Sequence, residues 1–172
     1  MSTSTESSPA ISNDGVEKPG NSESDKPGPV SSILYLCNHN AIRSPMAEIM
    51  TRDGYGRSIY VESAGVRTGE NDGFVEAVLN ELGLSLDGRS PQALEDLEDT
   101  YFDLIITLSP TAHHVALKME YIEAGEVLYW PSADPTVVQG SRDQMLAAYR
   151  DVRDRLQERI EDQLGQPIPR DI

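Results

Sequence analysis

The sequence predicts an α/β protein whose parallel sheet is covered by helices on both faces. Two short runs, Ile33-Leu34-Tyr35-Leu36 and Leu104-Ile105-Ile106-Thr107-Leu108, are apolar without polar alternation, as strands buried on both faces require. Between such runs lie longer segments of helical period. Strands separated by helices must be joined by right-handed crossovers, which place helices on both sides of the sheet.

Each element has its own signal. The run 33–36 reads as a central strand. After a loop, Ser44-Pro45 supplies an N-cap hydroxyl and a proline at the first helical position, ahead of apolar Met46, Ala47, Ile49 and Met50. Residues 58–63, with Ile59 and Val61 alternating, read as the second strand. Asp72 opens a helix through Phe74, Val75, Val78, Leu79 and Leu82 that stops at Gly83. Ser90-Pro91 starts a short acidic helix, residues 104–108 form the third strand, and Ser109-Pro110 starts another helix. The fourth strand spans 127–130. The last helix opens at Ser141 with Gln144 three residues on, a capping box, and repeats Met145, Tyr149, Val152, Leu156 and Ile160.

A chain of 172 residues has room for one ordinary domain, read here over residues 32–165. Residues 1–31 are rich in Ser, Gly, Pro and acidic residues and lack the apolar side chains that would offset the entropy of ordering, so they read as a disordered tail. The net charge of −15 repels polyanions, which argues against nucleic-acid and anionic-membrane partners. No apolar run has the length of a membrane span, and no signal peptide is evident, so a cytoplasmic location is expected. One cysteine and three histidines make a poor metal-ligand supply, so neither metal nor cofactor is expected. The lone thiol is either buried filler or reactive.

The chemistry concentrates between the first strand and the first helix. Parallel sheets bind ligands beyond the carboxyl ends of their strands, and Cys37-Asn38-His39-Asn40-Ala41-Ile42-Arg43-Ser44 lies there. A loop at that place can converge its N–H groups on one point. With the helix N-terminus behind them, they cradle a tetrahedral oxyanion without a metal and favour a thiolate. The planar fork of Arg43 suits two phosphate oxygens, which a lysine cannot match.

The run ILYLCNHNAIRSPMAE, residues 33–48, resembles the amino-terminal signature of the low-molecular-weight protein tyrosine phosphatases and their arsenate reductase relatives. Further matches are Ser63-Ala64-Gly65, Arg89-Ser90, Phe102-Asp103-Leu104-Ile105 and Asp134-Pro135, in the family's order. The resemblance implies a three-layer fold with four parallel strands in the order 2-1-3-4. It also implies hydrolysis of a phosphomonoester, a phosphorylated protein or a small molecule, through a phosphocysteine. Cys37 would be the nucleophile, Arg43 the oxyanion clamp, Ser44 the donor to the thiolate and Asp134 the general acid and base. Residues 38–43 (Asn38, His39, Asn40, Ala41, Ile42 and Arg43) would bind phosphate, with Asn40 and Ser63 holding the loop in shape.

Two positions depart from that pattern. His39 stands where the family usually has glycine, at a position that can need positive φ. Thr136, Val137 and Val138 replace the aromatic residues that often follow Asp-Pro. Outside the resemblance, Asp134-Pro135 is an ordinary turn pair, His113 and His114 read as a solvated helix face, and Tyr129 and Trp130 read either as lining the crevice rim or, the favoured reading, as packing at the strand end. The rival functions are arsenate reduction with an external small thiol and a silent phosphate-binding module. Reduction through a relay of cysteines on the same chain requires more than one.

Overall fold

The computed structural model describes residues 29–168. Most of the tail read over residues 1–31 lies outside them. Within them, Val30 packs on the core, and Ser31 donates from its backbone nitrogen and its hydroxyl to Asp103 Oδ2, both at 2.7 Å.

Four strands, β1 (Ser32–Cys37), β2 (Tyr60–Gly65), β3 (Tyr101–Thr107) and β4 (Glu123–Tyr129), form one parallel sheet in the order β2-β1-β3-β4. Four helices cover it: α1 (Arg43–Tyr55), α2 (Gly73–Asn80), α3 (Pro110–Lys118) and α4 (Arg142–Leu164). Alternation along β1 sends Ile33, Tyr35 and Cys37 toward α1, α2 and α4, and sends Leu34 and Leu36 toward α3. All five residues 33–37 are buried, which accounts for the unbroken apolar run. The order 2-1-3-4 reverses direction beside β1, so the loop after Cys37 opens at the crevice where the strand order switches.

The structure moves several predicted boundaries. β2 begins two residues later than residue 58 and continues through Ser63-Ala64-Gly65, three buried but small residues with no apolar signature. β3 starts at Tyr101 instead of 104. β4 starts at Glu123 instead of 127, because an edge strand exposes residues such as Glu123 and Glu126 and shows no continuous apolar run. The second helix ends at Asn80, and a turn leads to Gly83 at φ 73°. Ser90-Pro91 opens no helix: a single 3₁₀ turn, Leu94–Asp96, stands there.

The caps at Asp72, Ser109 and Ser141 are as expected, including the reciprocal bonds of Ser141 and Gln144. Ser44 is not an N-cap. Helix α1 starts at Arg43 with Ile42 as its cap residue and no side-chain cap, so Ser44 lies inside the first turn. Pro45 is tolerated because the first-turn N–H groups have no partner within the helix.

Candidate active site

Cys37 ends β1, and its Sγ lies 2.8 Å from Ser44 Oγ on the first turn of α1. Asn40 Nδ2 donates to the same oxygen at 2.8 Å. The serine proton is therefore free to point at the sulfur, which is what a thiolate accepts. Of the two roles expected for Ser44, the helix cap is not made, and its hydroxyl lies against the Cys37 sulfur.

Asn40 sets the shape of the loop. Its φ is 55°, in the left-handed region that asparagine tolerates better than most residues. All four hydrogen-bonding positions of its amide are filled: Nδ2 reaches Ser44 Oγ and Ser63 Oγ, while Oδ1 accepts from Arg89 and from the Gln92 backbone. His39 is absent from the positive-φ residues, so a histidine at the usual glycine position costs no backbone strain. The room for it comes from across the crevice, where a Cβ on Gly69 would stand 2.9 Å from His39 Cβ.

The loop is zipped along one side to residues 66–69. Val66, Arg67 and Gly69 donate backbone N–H groups to the carbonyls of Cys37, Asn38 and His39 at 2.9–3.0 Å. This pairing uses three carbonyl oxygens of the loop and none of its N–H groups. Gly65 must be glycine here, since a Cβ would lie 2.7 Å from Asn40 N and 2.3 Å from Arg67 O. On the other side Ser109, the α3 cap, donates to Asn38 Oδ1 at 2.6 Å. Ala41 and Ile42 are half-buried and complete the loop.

Beneath Asn40 lies a network that sequence reasoning missed as part of the site. Glu48 on α1 is buried and forms a 2.8 Å ion pair with Arg89. Ser63 Oγ donates to Glu48 Oε1 and accepts from Asn40 and Arg89. Glu48 and Arg89 both fell inside quoted motifs, yet nothing in their spacing reveals that they meet. Glu48 also pairs with the half-exposed Arg52 at 3.4 Å and accepts from Ser63, so losing Arg89 removes its shortest charged partner without leaving it unpaired. Arg89→Met should therefore lower unfolding free energy in urea by about 1.5–3 kcal/mol, the scale of a hydrogen bond to a charged group. A loss within the ~0.5 kcal/mol of an ordinary surface substitution would show that the pair does not hold the loop.

Arg43 is buried and donates from Nη1 to the Ser132 carbonyl at 3.0 Å, which ties the loop to the segment carrying Asp134. Asp134 is exposed and caps a 3₁₀ turn, Pro135–Val137. Partial burial alone would raise its pKa. The hydroxyl and N–H of Thr136, with the charges of Arg43 and His39, outweigh that and hold the carboxyl below the usual carboxylate range. Cys37, Ser44, Asn40 and Ser63 thus form one buried hydrogen-bonded chain, while the buried Arg43 is bonded to Ser132 and, with His39, acts on the exposed Asp134 through its charge. Among the described residues, no group of three or more His, Cys, Asp or Glu is placed to hold a metal ion.

His113 is not a plain solvated residue. Its Nδ1 lies 2.9 Å from Thr107 Oγ1 and its ring stacks on Tyr129, while Trp130 packs inward against Tyr35.

A family model described as low molecular weight phosphotyrosine protein phosphatase matches residues 32–171. The chain belongs to this family. Its relatives carry two kinds of name. An arsenate reductase of Halalkalibacterium halodurans is 30% identical over 129 residues, covering 74% of this chain and 91% of the relative. A glutaredoxin arsenate reductase of Synechocystis is 25% identical over 132 residues, covering 77% and 95%. Among solved structures, a tyrosine phosphatase of Erwinia amylovora superposes with a TM-score of 0.61 at 25% identity, covering 80% of this chain and 95% of that one. The four-stranded parallel sheet in the order 2-1-3-4 is the fold of these low-molecular-weight phosphatase neighbours.

Proposed function

We propose that the protein hydrolyses phosphomonoesters, with protein phosphotyrosine as the expected class, through a phosphocysteine on Cys37. The observation that carries this reading is the 2.8 Å contact between Cys37 Sγ and a serine hydroxyl already supplied with a donor by Asn40. A hydroxyl so placed steadies a thiolate before attack and as it leaves. The sulfur attacks phosphorus in line, a P–S bond forms, and the bond to the leaving oxygen breaks as Asp134 donates a proton. Water then gives its proton to Asp134 and attacks phosphorus, the P–S bond breaks, and phosphate and thiolate are released. Arg43 and the loop N–H groups stabilise the equatorial oxygens in both steps.

Arsenate reduction is the second reading, because arsenate is a phosphate mimic and four curated relatives bear that name. This chain has one cysteine, so the reducing thiol would have to be external. The test is turnover of p-nitrophenyl phosphate beside arsenate, each with and without glutathione. Thiol-independent release of phosphate supports hydrolysis; thiol-dependent loss of arsenate without it supports reduction.

Asp134 gives a pH-dependent prediction. Its pKa is lowered, so the protonated acid disappears from free enzyme as pH rises through a value below the ordinary carboxylate range. A dianionic substrate alongside favours the protonated form again. Phenyl phosphate has a poor leaving group that needs the proton, whereas nitrophenolate departs unaided. Asp134→Asn should therefore depress phenyl phosphate turnover far more than p-nitrophenyl phosphate turnover and flatten the alkaline limb of kcat, which reports the substrate complex. Equal losses with an unchanged profile would make Asp134 a turn residue only. The same lowered pKa gives folded-state stability that is present above the unfolded value and lost as pH falls through the folded one.

A further inference from the structure

We propose that the cavity beside the Asp134 turn docks a basic side chain, lysine or arginine, that flanks the phosphorylated residue of a protein substrate; this rests on the hydrolase reading above. The cavity, about 570 Å³, lies between residues 70–74, the turn after Asp134 and the start of α4. Its size falls in the ~300–1,000 Å³ range of small-molecule sites and exceeds what a phosphoryl group fills. It adjoins Asp134 through Pro135 and Thr136. Thr136 lines it and also donates to Asp134 Oδ1 from N at 2.9 Å and from Oγ1 at 2.6 Å.

The lining suits a long side chain with an apolar stem and a cationic head. The rings of Phe74 and Tyr149 pack tilted at 33° with centroids 5.1 Å apart, and Val138 and Met145 extend this apolar wall. Among the described residues, exposed Glu70 lines it with a free-standing acidic side chain, and Asp134 lies one residue beyond; Asp72 also lines it but is held by Phe74 N and the Tyr149 hydroxyl. The one basic group in the lining, Arg142, lies over the Phe74 ring at 5.4 Å from its centroid. Lysine and arginine lay their methylenes on apolar surface and keep the charge at a polar edge, which here is acidic. The chain's net charge of −15 draws basic segments toward this surface. An acidic flanking residue meets repulsion from the same groups.

The experiment compares three phosphotyrosine peptides that differ only in carrying Lys, Ala or Glu at the positions next to the phosphorylated residue. Binding to the Cys37→Ser protein is followed by fluorescence anisotropy, and kcat/KM is measured on the unaltered enzyme with p-nitrophenyl phosphate as reference. The Lys peptide should bind about tenfold more tightly than the Ala peptide, as one well-placed charge pair of ~1.4 kcal/mol would give. Glu70→Gln should remove most of that preference while leaving p-nitrophenyl phosphate turnover unchanged. Glu123→Gln, on the far edge of the sheet, should leave the preference intact. Equal affinities for all three peptides, no binding of any, or a preference untouched by Glu70→Gln would overturn the docking site. If neither the peptides nor p-nitrophenyl phosphate is turned over by the unaltered enzyme, the hydrolase reading fails, while the anisotropy series still decides the docking site.

Discussion

Cys37→Ser is expected to abolish hydrolysis of aryl phosphates while leaving binding of phosphate or vanadate largely intact. The hydroxyl preserves the shape of the loop end but supplies no thiolate, and an alkoxide at that place is far less available near neutral pH. Everything that cradles an anion survives the change. Asn40 stays held by Ser63, Arg89 and Gln92, and the backbone pairing with residues 66–69 does not involve the side chain of residue 37. Rates measured with p-nitrophenyl phosphate, beside vanadate binding followed by calorimetry, separate the two effects. Turnover retained at a tenth or more of the original rate, about 1.4 kcal/mol in barrier, would remove Cys37 from the mechanism.

Arg43→Lys should lose on the order of a hundred-fold or more in kcat, the scale of removing one preorganised oxyanion donor. The charge is kept, yet two parallel N–H bonds become a single flexible ammonium. A second consequence is specific to this structure. Arg43 donates to the Ser132 carbonyl, so the guanidinium also fixes the start of the segment that delivers Asp134. The loss should therefore be larger for phenyl phosphate, which needs the Asp134 proton, than for p-nitrophenyl phosphate. A uniform loss on both would confine Arg43 to the oxyanion.

The parts of the fold that were legible in the sequence are those where one physical requirement dominates. β1 is covered on both faces, so its apolar run is continuous, and the caps at Asp72, Ser109 and Ser141 sit where local bonding alone favours them. Elements under mixed requirements were displaced. β4 lies at the sheet edge and reads as half polar, and the end of β2 is small residues because the loop after Cys37 packs against Gly65. Ser44 shows how a tertiary contact overrides a local one: its position before proline suits a cap, but Cys37 and Asn40 lie closer to its hydroxyl.

The candidate site follows the same division. Cys37 and Ser44 are seven positions apart at the two ends of one loop, so their meeting is a local matter. Ser63 and Asp134 were reached through resemblance, and Glu48 and Arg89 were missed as members of the site although they stand in quoted motifs. Their ion pair joins residues 41 positions apart. Only the register of β1 on β2, which sets Tyr35 beside Ser63, brings that support under the loop. His39 was read as a departure that could need positive φ, whereas the left-handed residue is its neighbour Asn40.

The most direct test of the central claim is mass spectrometry of the Asp134→Asn protein, acid-quenched within milliseconds of mixing with p-nitrophenyl phosphate. The nitrophenolate leaves without the acid, but hydrolysis of the intermediate lacks its base, so one phosphoryl group per chain should accumulate on the peptide that contains Cys37. Steady release of nitrophenolate with no covalent phosphate on that peptide, or with phosphate on any other residue, would contradict the phosphocysteine mechanism.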